Sequence, residues 1–190
     1  MSIRSLFMIV VMMTVSMTAL SKTLTPEELS YLPYEHIANF TSQPGESEQA
    51  FLMRIGPSLR AYSNKTGFES CGVIASDGKG HFGVVLGSNH SHLACVNDES
   101  RVPKGMTSTG ETIHSHGRQG SFNMNKSDKI LSGIDAGSGL IPVHGQILDQ
   151  FSPTDYASGP GYLATPTGLM YQHGENTAHV VTLTKNQKSG

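Results

Sequence analysis

The tripeptide His-Ser-His occurs twice in this 190-residue chain, at residues 90–92 and 114–116, and accounts for four of its nine histidines. On a β-strand, residues i and i+2 point to the same side, so a His-x-His pair can offer two imidazoles to one metal ion. The pattern alone is weak, because it also occurs on solvated strands and turns. The flanking residues therefore have to distinguish the two copies.

The second copy has acidic and hydroxyl residues on both sides. Glu69 opens the stretch Glu-Ser-Cys-Gly-Val-Ile before it, and Ser152-Pro-Thr-Asp155 follows it. In these residues the chain resembles the JAMM/MPN-plus zinc metallopeptidases, whose signature is an upstream Glu, then His-(Ser/Thr)-His, then Ser-x-x-Asp. The stretch 161–168, Gly-Tyr-Leu-Ala-Thr-Pro-Thr-Gly, is similar to the hairpin after the family's Asp. The resemblance spans about residues 48–184.

The resemblance implies one zinc ion per chain, bound by His114, His116 and Asp155 with a fourth position open for water. Zinc would lower the pKa of that water towards about 7. Glu69 would take the proton and pass it to the leaving amine, and Ser152 would donate a hydrogen bond to the tetrahedral oxyanion. We therefore expect an exported zinc-dependent metallopeptidase that cleaves peptide or isopeptide bonds, with peptidoglycan peptides as one substrate class.

Two other functions stay open. A delivered toxin with the same chemistry would act on a protein of a host or rival cell, and a secreted binding module of the same fold would be catalytically silent. Such silent modules lose ligands, whereas all five positions are filled here, which favours the enzyme. A zinc deaminase would need Pro-Cys-x-x-Cys, which is absent, and the histidine and aspartate spacings of LytM-type and Hedgehog-type peptidases are not matched.

The first His-Ser-His copy lacks a metal-binding residue where the family has its Asp. Ser100 stands at the family's usual distance from His92, but the position expected to be Asp is Pro103, which cannot bind a metal. Only 20 residues separate Glu69 from His90, too few for the strands that the family places between them. We expect His90 and His92 to be loop residues away from the metal.

The second copy departs from the family in the segment 117–151, which has 35 residues where seven are usual. One explanation is an inserted loop, which costs only about 1–1.5 kcal/mol in closure entropy. The other is that Ser152-Pro-Thr-Asp155 merely starts a helix, since Ser and Pro suit the N-cap and N1 positions. The two explanations are compatible. The glycines and weak periodicity of segment 117–151 predict a mobile loop that carries little core, with a short helix over about 128–134.

The first 21 residues are typical of a secretory signal peptide, with Arg4 before an apolar run and small residues before a cleavage site after Ser21. Export favours an oxidising compartment, so Cys71 and Cys95 are interpreted as one disulfide rather than as a source of a nucleophile. The net charge of −2 and the lack of a basic cluster predict no nucleic-acid partner. We expect a secreted or periplasmic protein without a membrane anchor after signal cleavage.

Hydrophobic patterns predict the elements that position these residues. Thr25-Pro-Glu-Glu predicts a short capped helix, residues 39–46 have linker composition, and 3/4 spacing predicts an amphipathic helix over 46–62 with a kink near Gly56-Pro57. Strands are predicted at 71–75, 81–86, 93–96 and 111–116, in a hairpin over 162–172, and at 179–184.

These elements predict an α/β (α+β) fold with a curved, mostly antiparallel β-sheet flanked by helices, as in the JAMM/MPN family. Residues 22–47 would form an N-terminal helix and linker. Residues 48–190 would form one metallopeptidase domain that includes the 117–151 loop.

Overall fold

The computed structural model describes residues 24–135, 137–174 and 181–183. The predicted signal peptide, 1–21, lies outside the described residues. The helices are α1 (Pro26–Ser30), α2 (Glu48–Thr66), α3 (Lys126–Leu131) and α4 (Pro153–Ala157). The strands are β1 (Glu35–Thr41), β2 (Ser70–Ser76), β3 (Phe82–Ser88), β4 (Thr107–Ser115), β5 (Ser121–Asn123), β6 (Pro142–His144), β7 (Gly161–Ala164), β8 (Leu169–Gln172) and β9 (Val181–Leu183).

Seven strands form the main sheet in the order β1-β3-β2-β4-β7-β8-β9, while β5 and β6 form a separate antiparallel pair. Every pairing of the main sheet is antiparallel except that of β4 with β7. Helix α2 packs against β2, β3, β4, β7 and β8. The predicted α/β class with a mostly antiparallel sheet is therefore confirmed.

The parallel pairing of β4 with β7 gives the 117–151 segment a structural role. Two parallel neighbours need a crossover connection of a dozen or more residues, because the chain has to return to the same end of the sheet. Here the crossover is 116–160, which contains the whole segment and α4. It carries the predicted short helix, as α3, close to the predicted place, and in addition the strands β5 and β6, which the sequence did not predict.

The core lies between α2 and the sheet. Phe51, Leu52, Ile55 and Leu59 of α2 are almost fully buried against apolar residues of β2, β3, β4, β7 and β8. Their 3/4 spacing explains the helical face, and the Ser47 hydroxyl caps its start by accepting a hydrogen bond from Ala50 N. The helix predicted over 46–62 is thus confirmed over 48–66.

Strand β1 occupies residues that the sequence assigned partly to a linker, so that prediction was wrong for 39–41. It pairs with β3, and its register shifts between His36 and Ala38. Ile37 and Phe40 both pack on the core although they are three residues apart. A bulge breaks the two-residue alternation by which a strand is recognised in a sequence, which explains the miss.

The predicted strand at 93–96 was also wrong, because the described chain has no strand between β3 and β4. The disulfide Cys71–Cys95, with Cα atoms 5.9 Å apart, ties this stretch to β2, and Asn89 Oδ1 accepts a hydrogen bond from Val96 N at 2.8 Å. A covalent link and side-chain hydrogen bonds therefore hold the apolar residues Leu93–Val96 in place of a strand ladder. The disulfide fits an extracellular location. No helix among the described residues is long and apolar enough to cross a membrane.

Candidate metal centre

The end of β4 places the two histidines of the second tripeptide on one side: His114 is in the strand, and His116 directly follows its last residue, Ser115. Between them, Ser115 points to the other side, where its hydroxyl lies 2.7 Å from Ser63 Oγ and 2.9 Å from Ser70 Oγ. The rings of His114 and His116 have centroids 5.2 Å apart, and both residues are buried. The alternation of the strand therefore places the two imidazoles together, as their spacing predicts.

Asp155 reaches the histidines from the first turn of α4. Ser152 is the N-cap of this helix: its hydroxyl accepts a hydrogen bond from Asp155 N at 3.2 Å, and Asp155 Oδ2 accepts one from Ser152 N at 2.7 Å. This capping box fixes the carboxylate, whose oxygens lie 3.3 Å from His114 Nε2 and 3.2 Å from His116 Nε2.

The three residues predicted as ligands are thus close enough to hold a metal ion, since one donor atom of each lies within 4.8 Å of the others. His116 Nδ1 lies 2.7 Å from the carbonyl oxygen of Ile147. A carbonyl only accepts, so Nδ1 carries the proton and donates it. In the neutral ring this leaves the lone pair of Nε2 facing the Asp155 carboxylate.

This arrangement fits a cation. Within the described residues, the buried His114 Nε2 makes no hydrogen bond, although Asp155 Oδ1 lies 3.3 Å away, and in neutral His116 two acceptors would face each other. Either a proton or a metal ion between these groups removes the conflict, and the hydrogen bond from Nδ1 to a carbonyl is the usual support of a metal-binding imidazole. Burial alone would raise the pKa of Asp155, but His114 and His116 outweigh it and hold that pKa below its usual range.

Glu69 immediately precedes β2 and lines the same cleft as His114 and Asp155. Only 3% of its surface is exposed, and among the residues that the structure describes its Oε1 atom has no hydrogen-bond partner. Burial raises the pKa of Glu69 to about 8; the charges of Asp155 and Asp128 act in the same direction, whereas His116 opposes them. The carboxyl is therefore mostly protonated at neutral pH in the metal-free protein.

Ser152 is half-buried, and its hydroxyl oxygen accepts the capping bond from α4. Within the described part of the chain, its hydroxyl hydrogen has no acceptor and remains available for donation. Thr154 of α4 and Ser158 at its end line the cleft. Ser152, the N-cap of the same helix, is not among the lining residues.

The first tripeptide lies in a loop, as predicted, and apart from the cluster of candidate ligands. His90 Nε2 lies 2.8 Å from Glu35 Oε2. His92 Nδ1 lies 2.8 Å from Asp128 Oδ2, and the His92 ring contacts those of Phe68 and Phe122. These two histidines dock the loop onto its neighbours.

Sequence reasoning missed Asp128. This fully buried residue accepts hydrogen bonds from Ser91 Oγ, His92 N and Asn125 N at 2.7–2.9 Å. Burial alone would raise its pKa, but the hydrogen bonds from His92, Asn125 and Ser91 hold the pKa below its usual range. Asn125-Lys-Ser-Asp128 is a capping box, which is the sequence signal that could have identified this carboxylate as fixed.

Residues 93–97 form a wall of the cleft. Leu93, Ala94, Cys95 and Asn97 line it, and the Gln146 side chain donates a hydrogen bond to Leu93 O. The disulfide and the crossover segment therefore hold this wall together. No protein-family model, curated protein or solved structure matches the chain.

Proposed function

We propose that the chain is an exported zinc-dependent metallopeptidase of the JAMM/MPN-plus type, which cleaves peptide or isopeptide bonds. The observation that carries the proposal is a cleft lined by His114, Asp155 and the buried carboxyl group of Glu69, with the His116 imidazole close enough to Asp155 to complete a metal site. Three ligands from nitrogen and oxygen with one open position are typical of catalytic zinc.

Zinc in this position would polarise a substrate carbonyl and lower the pKa of a water towards about 7. His114, His116 and Asp155 would hold it, and the carbonyl of Ile147 would keep His116 in the required tautomer. The wall at 93–97 and helix α4 would confine the substrate chain between them.

Glu69 is suited to proton transfer because it is buried beside the cluster and its Oε1 atom is unpartnered. In the proposed reaction it accepts a proton from the attacking water and then gives it to the leaving amine, so that it is ionised at the start and at the end. A group that works in both directions needs a pKa near the working pH, and burial moves the pKa of Glu69 in that direction.

Ser152 would donate its free hydroxyl hydrogen to the oxyanion that forms as the carbonyl becomes tetrahedral. The helix cap supports this role because it fixes the oxygen and leaves the hydrogen unused. Ser152 thereby combines a structural task, as the cap that positions Asp155, with a chemical one.

The disulfide supports action outside the cytoplasm, in a secreted or periplasmic location, where peptidoglycan peptides are the substrate class we favour. The same chemistry in a delivered toxin would act on a host or rival protein. A catalytically silent binding module of this fold is the remaining alternative, which the complete set of ligands and the unpartnered Glu69 carboxyl oppose.

The test is the metal content of the purified protein and of matched variants. We expect about one zinc ion per chain in the wild type and in His90→Ala, and almost none in His116→Ala, because only the second tripeptide faces Asp155. Elemental analysis by mass spectrometry measures this directly. Zinc that is retained by His116→Ala would refute the assigned ligands, and bound zinc without hydrolysis of any peptide or isopeptide substrate would favour the binding module.

A further inference from the structure

A second concave surface lies apart from the metal cleft, between α2 and the turn that joins β7 to β8. It encloses about 500 Å³ and is lined by Arg60, Ala61 and Asn64 of α2 and by Thr165 and Thr167 of the turn, among other residues. None of the described residues that line it is acidic. This groove therefore combines a cation with hydroxyl and amide groups and contains no negative charge.

Arg60 is the unusual member of this groove, because it is a buried cation without an anion. Only 6% of its surface is exposed. Its guanidinium donates to the carbonyl oxygen of His116 and, at 2.6 Å, to Asn64 Oδ1, while its Nε–H has no partner. Within the described residues, no carboxylate forms an ion pair with it.

The physical chemistry of this burial favours a missing counter-ion. An ion removed from water loses several kcal/mol of solvation, which neutral acceptors replace only in part. An anion in the groove would restore the lost interaction.

Arg54, on the same helix, is an exposed arginine that is paired with a carboxylate. Its side chain is 38% exposed, and its Nε and Nη2 atoms both donate to the Glu46 carboxylate at 2.8 Å. The fork of Arg54 is thus occupied by a carboxylate of the chain itself. The guanidinium of Arg60, nearly two turns further along α2, has only neutral acceptors of the chain as partners, and Arg60 lines the groove.

We propose that this groove binds an oxyanion, that is, a carboxylate or phosphate group of a small molecule or peptide, with the Arg60 guanidinium as its main contact. The planar fork of arginine matches both kinds of anion, and charge-assisted hydrogen bonds of this type are among the strong ones. The Thr167 hydroxyl and the Asn64 amide offer further donors at the rim. The proposal does not rest on the proposed hydrolase activity, although Arg60 also contacts the main chain of His116.

The direct test follows the side-chain Nε–H signals of the arginines by ¹H–¹⁵N NMR in the full chain. Sodium acetate and inorganic phosphate are titrated separately against sodium chloride at matched ionic strength. We expect a saturable shift of the Arg60 signal with a Kd of about millimolar, as befits one charge-assisted contact, and little change at Arg54. The anion with the lower Kd identifies the preferred group as carboxylate or phosphate.

Two variants separate binding in the groove from a general salt effect. Arg60→Lys keeps the charge but loses the fork, and should weaken binding about tenfold, as measured on the Asn64 side-chain amide signal. Ala61→Phe fills the groove from an exposed position, so it should abolish the shift while the protein stays folded. A wild-type Arg60 signal that does not saturate with either anion, or a shift that survives in Ala61→Phe, would overturn the proposal.

Discussion

The two His-Ser-His tripeptides have the same sequence, yet they form different kinds of structure. Each meets an aspartate at the third position of a short capped helix, Asp128 in α3 and Asp155 in α4. Asp128 is saturated with donors from Ser91, His92 and Asn125, whereas Asp155 faces two imidazole nitrogens, of which one lacks a hydrogen bond. The first pair is a structural clamp, and the second is a cluster with a place for a cation.

Backbone conformation makes this difference. Residues 114–116 run through the end of β4, so Ser115 points to the core, whereas His114 lines the cleft and the ring of His116 lies beside that of His114. Residues 90–92 lie in a loop in which His90 has the left-handed φ of 55°. There the two histidines point to different partners, Glu35 and Asp128. The same tripeptide can therefore offer two ligands to one metal only where an extended backbone places both histidines on one side.

The largest expected difference between the two tripeptides concerns Glu69, which lines the cleft together with His114 of the second tripeptide. Glu69→Gln should keep zinc and the fold but lose about 10²–10⁴ in the rate of peptide hydrolysis, because the amide cannot accept the proton of the water. Glu35→Gln, which changes the partner of His90, is the control and should retain nearly full activity. Single-turnover assays at equal zinc occupancy measure both, and an undiminished rate in Glu69→Gln would exclude the assigned role.

The next effect concerns how the crossover supports the second pair. Replacing 118–149 by a Gly/Ser link removes the Ile147 carbonyl that orients His116, whereas replacing only 121–144 retains it. Both changes remove Asp128. We expect the longer deletion to bind zinc about 10–100-fold more weakly than the shorter one, because the lost contact orients a ligand.

Competition with a zinc chelator gives the two dissociation constants. Equal values would mean that the Ile147 carbonyl contributes nothing to the metal site.

How much the sequence could predict depends on how local each feature is. Three features depend on neighbouring residues, and patterns of a few residues predict them. They are the capped helix at Thr25, the end of β4 with His114 and His116, and the cap that fixes Asp155. The partnership of Asp128 with His92 was not predictable in the same way. It joins residues 36 positions apart and requires the fold itself.

The same limit applies to β1 and to the crossover. The bulge near Ile37 breaks the alternation that marks a strand. The parallel pairing of β4 with β7, which makes a long connection necessary, leaves no local pattern in the sequence. Arg60 was passed over because an arginine within an amphipathic helix normally lies on its solvated face.

The smallest effect concerns the pH dependence of the clamp. Hydrogen bonds hold the pKa of Asp128 below its unfolded value of about 3.8, so its stabilisation is present above that value and is lost as the pH falls through the folded pKa. Asp128→Asn should therefore destabilise the protein by about 1–3 kcal/mol at pH 6 and by less below pH 4. Urea unfolding of the zinc-free wild type and of Asp128→Asn, at pH 6 and at a pH below 4, tests this.

The matched variant for that comparison is Asp155→Asn, which changes the carboxylate of the second pair. It should abolish stoichiometric zinc, whereas Asp128→Asn should keep it. If Asp128→Asn lost the zinc and Asp155→Asn kept it, the roles of clamp and metal site would have to be exchanged.

The parallel pairing of β4 with β7 also dictates an order of assembly. The hairpin of β2 and β3 joins residues close in sequence and can form early, whereas β4 and β7 can meet only after the chain 116–160 has been closed into a loop. His114 precedes this loop, His116 begins it and Asp155 lies near its end. A nascent chain therefore cannot assemble the candidate metal site until the loop has closed, and we expect metal capture to follow the formation of the hairpin of β2 and β3.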